Sequence, residues 1–257
     1  MGWKHHAAPH GTLPQLRDGF PDGTVRATLV DRPTVRVQQL DLADGRRGVL
    51  KRYFFPYWSQ RMRALHRHAW LGLPKPVNEA RNLLRLSAAG VPALEPMAWA
   101  VKTSPLGIVR DGWLLLPYLD GARTLEQVLR AHTTLPEAFW STLGAEVRRV
   151  HDVGCWYRNL AARNLLLTPE LALHWIDPGK SQWLRAPLDS SRAAADLAVF
   201  LIPLQPFLPP GAWPAFQRGY GRPPAPLEDL WQELPRDLRR RCEHWVRREQ
   251  DRLAAPR

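Results

Sequence analysis

The residues best suited to chemistry cluster between His151 and Lys180, which reads HDVGCWYRNLAARNLLLTPELALHWIDPGK. Asp177 closes an apolar run in that stretch, thirteen residues beyond Asn164, and begins Asp-Pro-Gly. Read alone, Asp177 is a turn or capping aspartate and Asn164 is a loop amide capping the next strand. The strand-end position of Asp177 favours a carboxylate that holds a metal ion. His151 ends a helical stretch and reads as a packing or capping residue. Other chemistries lack their residues. The nine histidines form no H-E-x-x-H, and Cys155 and Cys242 have no partners at ligand spacing, which argues against a structural zinc site. No G-x-S-x-G is present, so a hydrolase elbow has no support.

Within this stretch, Tyr157-Arg158-Asn159-Leu160-Ala161-Ala162-Arg163-Asn164 resembles the protein-kinase catalytic loop H-R-D-L-x-x-x-N in its length, its Arg, its Leu and its final Asn. Asp177-Pro178-Gly179 keeps the Asp and Gly of the kinase D-F-G. Upstream, Lys51 in VLKRYF and Glu79 on the following helix resemble the phosphate-holding Lys of kinases and its Glu partner. The more specific resemblance is to the bacterial lipopolysaccharide kinases, the Kdo and core-heptose kinases. Asn159 to Leu167 is similar to a D-L-N-A-x-N-I-L-L loop, and Ile176-Asp177…Lys180 is similar to an I-D strand followed by a basic residue. A later helix containing Asp196-Leu197-Ala198 fits as well, so the likeness covers roughly residues 25–220.

That resemblance implies a two-lobed, protein-kinase-like α+β fold that uses ATP and Mg²⁺. By the same resemblance, Lys51 paired by Glu79 holds the nucleotide phosphates, while Asn164 and Asp177 hold the metal. The adenine is expected beside Leu116 and Tyr118 at the lobe junction. Asn159 and Arg158 belong to the catalytic loop, Arg158 orienting it through backbone carbonyls. Two departures stand out. Asn159 replaces the family's catalytic Asp, and an amide cannot take the acceptor hydroxyl's proton, so general-base help of about 10²–10⁴-fold is largely lost. There is also no G-x-G-x-x-G over the phosphates; the first turn is Asp31-Arg32-Pro33-Thr34.

Elements that could position these residues are legible in the pattern. Val25–Val30, Thr34–Leu40 and Arg47–Tyr53 read as an antiparallel meander, with turns at Asp31–Pro33 and Asp44-Gly45. A basic helix follows over Tyr57–Leu71, with Trp58, Met62, Leu65 and Ala69 on one face and Arg63 and Arg67 opposite. Pro76 opens a second helix that stops at Gly90. Strand character returns at Pro96–Val101 and Trp113–Leu119, and Glu137–His151 forms a helix striped by Phe139, Leu143, Val147 and Val150. Two short buried strands follow Asn164. The rest is helical, punctuated by the Pro-rich stretch Pro203–Pro226, and ends in a basic helix over Leu238–Arg252. Residues 1–22 read as a loose lead-in, 23–118 as a small antiparallel-sheet N-lobe and 119–257 as a mainly helical C-lobe.

Composition narrows the partners. Lys plus Arg number 36 against 24 Asp plus Glu, a net charge of +12, which favours anionic partners. Two cysteines are too few for a disulfide framework and fit a reducing compartment. The first eleven residues carry no apolar signal core, and the longest apolar run, Leu197–Leu204, falls well short of the roughly 20 residues needed to span a bilayer. No recognition motif or stacking pattern specifies nucleic acid. Three readings follow from the resemblance and the charge together, the substrate class being what the resemblance implies. The first is a phosphotransferase acting on a lipopolysaccharide core sugar or related lipid-linked glycan, cytoplasmic and peripheral at the inner membrane. The second is a pseudokinase: a nucleotide-binding regulator or scaffold of envelope biogenesis without useful turnover. The third is a basic membrane-surface adaptor that binds no nucleotide. Residues 61–85 hold six Lys or Arg and one acid, Glu79. Basic residues near an anionic leaflet contribute about 1 kcal/mol each. Salt-sensitive sedimentation with anionic vesicles and little with neutral ones is therefore expected, weakened when Arg61, Arg63 and Arg67 are replaced by Gln. Equal partition onto both vesicle types would overturn it.

Overall fold

The computed structural model describes residues 2–9, 11–55, 73–158 and 160–254. The chain forms two compact units, the first made of Met1–Ala88 and Ala93–Asp120, the second of Ala89–Pro92 and Gly121–Arg257. The basic helix expected over Tyr57–Leu71 lies outside the described residues.

The first unit contains strands β1 (Gly2–Ala7), β2 (Leu16–Arg17), β3 (Phe20–Pro21), β4 (Gly23–Arg32), β5 (Val35–Leu42) and β6 (Arg47–Phe54), then helix α1 (Lys75–Ala88), β7 (Ala98–Thr103) and β8 (Val109–Pro117). Six of the strands form an antiparallel sheet in the order β1-β7-β8-β6-β5-β4. The meander read from residues 25–53 is its β4-β5-β6 half. Side chains alternate faces along a strand. One face carries Leu40, Leu42, Leu50, Ala98, Ala100, Trp113 and Leu115, with Trp3, Phe20 and Met97 packed against them. Lys51 and Tyr53 alternate with Leu50 and face the other way, toward α1, whose Ala80, Leu83 and Leu86 are fully buried.

Residues 1–22 are not a loose lead-in. β1 pairs along its whole length with β7, from Gly2 opposite Thr103 to Ala7 opposite Ala98. Its alternation half-buries Trp3 and His5. The β2–β3 hairpin closes over the apolar face: the Trp113 indole donates to the Gly19 carbonyl at 2.8 Å, and Trp3 meets Phe20 edge-on at 4.9 Å. Gly19 has φ 84°, and a Cβ there would strike the Trp3 indole. Two tryptophans thus give an otherwise polar segment an apolar partner. The strand expected over Trp113–Leu119 starts earlier, at Val109, and stops at Pro117.

The second unit runs through β9 (Arg123–Thr124), α2 (Leu125–Arg130), α3 (Glu137–Asp152), β10 (Cys155–Trp156), β11 (Leu165–Leu167), β12 (Leu173–Trp175), β13 (Gln182–Trp183), α4 (Ser190–Leu201), α5 (Ala212–Tyr220) and α6 (Arg236–Ala254). A capping box starts α2, the Thr124 hydroxyl accepting from Gln127 N and the Gln127 side chain accepting from Thr124 N. The two strands expected after Asn164 are β11 and β12, with Leu166 opposite His174. The Pro-rich stretch runs from a 3-10 turn at Ile202–Phe207 through α5, and a second 3-10 turn, Leu227–Trp231, follows it. Among the described residues, no helix is long and apolar enough to cross a membrane.

α3 is buried along Phe139, Leu143, Val147 and Val150, the predicted stripe, and also along Gly144. A Cβ on Gly144 would stand 2.1 Å from the Phe216 carbonyl of α5, and one on Gly219 would stand 1.8 Å from the Ser141 carbonyl. Backbone meets backbone at this crossing, so no side chain can swing aside. Gly144→Ala is therefore expected to force the helices apart and cost about 1–3 kcal/mol, against the gain in helix propensity. Chemical denaturation should show a lowered midpoint; an unchanged or raised one would contradict the close approach.

Candidate active site

In the first unit, Lys51 lies mid-strand in β6, opposite Leu114 of β8 and Val37 of β5. Its ammonium donates to both carboxylate oxygens of Glu79 at 2.9 Å. Glu79 is 2% exposed on the inner face of α1, and the Tyr53 hydroxyl donates to it as well. The ion pair is thus hydrogen-bonded on several sides, the condition under which a buried carboxylate is tolerated. Tyr53 was not singled out from sequence, although its place two residues after Lys51 puts both on one face. Leu116 is buried near the end of β8, opposite Val49. Tyr118 follows that strand; its amide donates to the Arg47 carbonyl at 3.2 Å, and the Arg47 guanidinium lies 5.2 Å over its ring.

In the second unit, the segment after α3 is held by one carboxylate. Asp196 sits 2% exposed in the middle of α4, among Ala193, Ala194, Ala195, Leu197 and Ala198. Its oxygens accept from the backbone amides of Tyr157 at 2.7 Å and Arg158 at 2.9 Å. His151 Nε2 lies 3.6 Å from the same carboxylate, while His151 Nδ1 is 2.7 Å from the Tyr220 hydroxyl. Burial pushes that hydroxyl up to about 12, so it stays protonated. His151 is accordingly a packing and bracing residue.

Arg158 has φ 61°, the left-handed region, which costs a non-glycine residue of order 1–3 kcal/mol. The Asp196 contacts hold it there. The expectation that the Arg158 side chain bonds backbone carbonyls is corrected: its guanidinium lies 5.2 Å over the Trp156 ring, and its backbone amide makes the fixed contact. Asn159 itself lies outside the described residues.

Asn164 closes a 3-10 turn and is 3% exposed. Its carbonyl accepts from Ile176 N at 2.9 Å, so Asn164 is bound to the residue that precedes Asp177. The Tyr157 hydroxyl donates to the Ile176 carbonyl, fastening the same residue to the loop. Asp177 has φ 58°, a second strained position one residue on. The structure therefore brings Arg158, Asn164 and Asp177 into one hydrogen-bonded neighbourhood. An amide oxygen and a carboxylate are hard oxygen donors of the kind that suit Mg²⁺, which takes one or two protein ligands and completes its shell with phosphate and water. Among the described residues, no group of three or more His, Cys, Asp or Glu could hold a metal.

A further tether was not legible from sequence. Arg163, in the same 3-10 turn, pairs with Glu249 of α6; Glu249 also accepts from Arg252 at 2.5 Å, and Arg252 pairs with the buried Glu126 of α2. Burial raises the Glu249 carboxyl, but Arg252 and Arg163 outweigh it and hold the group below the ordinary carboxylate range.

Residues 24–206 match the family described as the lipopolysaccharide kinase (Kdo/WaaP) family. The chain belongs to that family. Among curated relatives, it is 29% identical over 110 residues to the 3-deoxy-D-manno-octulosonic acid kinase of Haemophilus influenzae strain Rd, covering 43% of this chain and 45% of the relative. To the protein of the same name from Actinobacillus succinogenes it is 33% identical over 100 residues, 38% of this chain and 41% of that one. The matches thus span less than half the length of these relatives. A solved structure titled "WaaP in complex with acyl carrier protein" superposes with a TM-score of 0.55 over 90% of both chains at 18% identity. The kinase-like α+β fold is therefore shared with it.

Removing one partner from a buried hydrogen-bonded group leaves the other unsatisfied, at about 1–3 kcal/mol each. Asp196→Ala orphans two amides and frees a strained residue. It is expected to destabilise the protein by several kcal/mol on that basis. A milder change, Asp196→Asn, should speed hydrogen exchange at Tyr157 and Arg158 while α3 keeps its protection. Unchanged exchange at both amides would show that Asp196 does not hold the loop.

Proposed function

We propose that this protein is a phosphotransferase that uses Mg²⁺-ATP to phosphorylate a sugar of the lipopolysaccharide core or a related lipid-linked glycan, at the cytoplasmic face of the inner membrane. The observation that carries this reading is the Tyr157–Asn164 loop, pinned by Asp196 and bonded to the residue before Asp177, in a member of the lipopolysaccharide kinase family. The acceptor class is taken from curated relatives named 3-deoxy-D-manno-octulosonic acid kinase. The membrane surface is supported by the net charge of +12.

In this reading, bound Mg²⁺-ATP supplies the phosphoryl group and the positive charge that offsets its developing negative charge. Asn164 and Asp177 would hold the metal through their side-chain oxygens. Lys51, kept charged and in place by Glu79 and Tyr53, would hold the nucleotide phosphates. Leu116 and Tyr118 would receive the adenine. Asn159 would orient the acceptor hydroxyl through its amide without removing the proton. Phosphoryl transfer through a loose transition state depends mainly on positioning and electrostatics, so a site that positions well retains turnover without a base.

Two substitutions test these roles. Wild type should gain thermal stability with saturating Mg²⁺-ATP, and Asp177→Ala should lose that gain while keeping its fold by circular dichroism. No shift in wild type would remove the nucleotide reading altogether. Asn159→Asp should raise kcat by about tenfold or more against a core-sugar acceptor, since it supplies the missing carboxylate. Transfer by neither form, with nucleotide bound, would make the protein a nucleotide-binding regulator instead.

A further inference from the structure

Beside the Trp156–Arg158 segment, wholly within the second unit, is a cavity of about 40 Å³ whose lining includes Trp156, Arg158, Asp196, Arg241, Cys242 and Trp245. Its walls include two indoles beside the aliphatic Ala195, Val199 and Leu238, and cations stand over both indoles. Arg158 and Arg192 lie 5.2 Å and 5.6 Å over the Trp156 ring, and the Lys180 ammonium lies 5.6 Å over Trp245. Cations outnumber acids there: one carboxylate, Asp196, lines the cavity and accepts from two backbone amides, and Asp189 nearby pairs with Arg192. Among the described residues, no carboxylate forms an ion pair with Arg158, Lys180 or Arg241. Burial pushes the Cys242 thiol up to about 11, so it adds no negative charge. The Trp156 indole N–H is buried and has no acceptor among the described residues.

Cations gathered round a small cavity repel one another and gain most from an anion that enters it. A cavity of about 10–15 Å³ suffices for one water, so this one has room for a compact anionic group such as a carboxylate or phosphate. Arg241 is exposed on α6 and Lys180 is exposed after Asp177, which leaves the approach open to a larger ligand. Arg158 directly precedes Asn159, and Lys180 lies three residues beyond Asp177, so the cavity is built from the same loops as the proposed reaction centre.

We propose that this cavity is an anion subsite for the acceptor: Arg158 and Arg241 from its lining, with Lys180 over Trp245 beside it, take the carboxylate or phosphate group of an acidic sugar. The proposal rests on the phosphotransferase reading and adds how the acceptor is gripped. A group so held would be recognised by charge, and guanidinium forks suit planar carboxylate and phosphate alike.

The test uses the full chain without nucleotide, so that a failure of phosphoryl transfer leaves it intact. Free 3-deoxy-D-manno-octulosonic acid, its neutral methyl ester and inorganic phosphate are titrated, with tryptophan fluorescence and isothermal calorimetry as readouts. The acid should bind at least about tenfold more tightly than the ester, the loss expected when a charge-assisted contact is removed. Arg241→Gln and Lys180→Gln should each weaken the acid by a similar factor while keeping the Mg²⁺-ATP thermal shift, and Trp245→Phe should reduce the fluorescence change. Phosphate that competes with the acid supports one shared subsite. Phosphate that binds when the acid does not, and is weakened by the same two substitutions, assigns the subsite to a phosphate on the glycan. Equal binding of acid and ester, binding that neither substitution weakens, or no binding by acid or phosphate would overturn the proposal.

Discussion

The second unit is organised round a charge that ought not to be where it is. Asp196 interrupts an apolar helix, and an unpaired carboxylate at 2% exposure would be severely destabilising. Two backbone amides, with His151 behind them, make the position tolerable. The contacts run both ways. Tyr157 and Arg158 lie just after a glycine turn, and Arg158 is in a backbone conformation it would not choose. Charge-assisted hydrogen bonds are roughly twice as strong as neutral ones, enough to hold a strained residue that ordinary turn bonds would release. Carboxylate and loop stabilise each other, and neither geometry is favourable alone.

From that anchor, order spreads by short steps. The Tyr157 hydroxyl holds the Ile176 carbonyl, and the Ile176 amide holds the Asn164 carbonyl. Three separate stretches of chain therefore share one register, and the bonds of Ile176 bring Asp177 into it. The Arg163–Glu249–Arg252–Glu126 chain adds a brace from α6 and α2. Ion pairs of this kind contribute modest net stability because desolvation offsets attraction. Their value here is directional, since planar guanidinium forks fix the angle at which α6 meets the Ala162–Asn164 turn. The first unit repeats the device on a smaller scale, with Glu79 accepting from both Lys51 and Tyr53.

What was legible in the sequence was what is local. The loop from Tyr157 to Asn164, the strand before Asp177, the α3 stripe and the β4-β5-β6 meander all declare themselves within a few residues. Lys51 and Glu79 could be paired only through the family resemblance, because 28 residues separate them. Asp196 was visible as part of a motif but not as an anchor, since its partners lie 38 and 39 residues upstream. A lone acid in an apolar helix was the signal available. β1 was hidden for a different reason: it is short and polar, and its apolar partners are Trp113 and a hairpin that forms only once the sheet exists. Gly144 could not be distinguished from a tolerated helix glycine until α5 was seen against it.

Under the proposed phosphotransferase reading, the amide at Asn159 is easier to understand in this setting. Its neighbours on either side are fixed, Arg158 through its backbone amide and Leu160 by complete burial. A general base earns its rate advantage by being near the proton and of suitable pKa, whereas positioning acts through geometry alone and needs no titratable group. A loop braced by Asp196, Tyr157 and Arg163 supplies geometry in abundance. Asn keeps nearly the shape of Asp and adds hydrogen-bond donors, so it can hold a hydroxyl oxygen while adding no negative charge beside incoming phosphates. The cost falls on the proton, which must leave with solvent or with the phosphoryl group itself. In a loose transition state the acceptor proton is lost late, after most of the bond to the leaving oxygen has broken. Under the phosphotransferase reading, that order makes a well-held acceptor matter more than an early base.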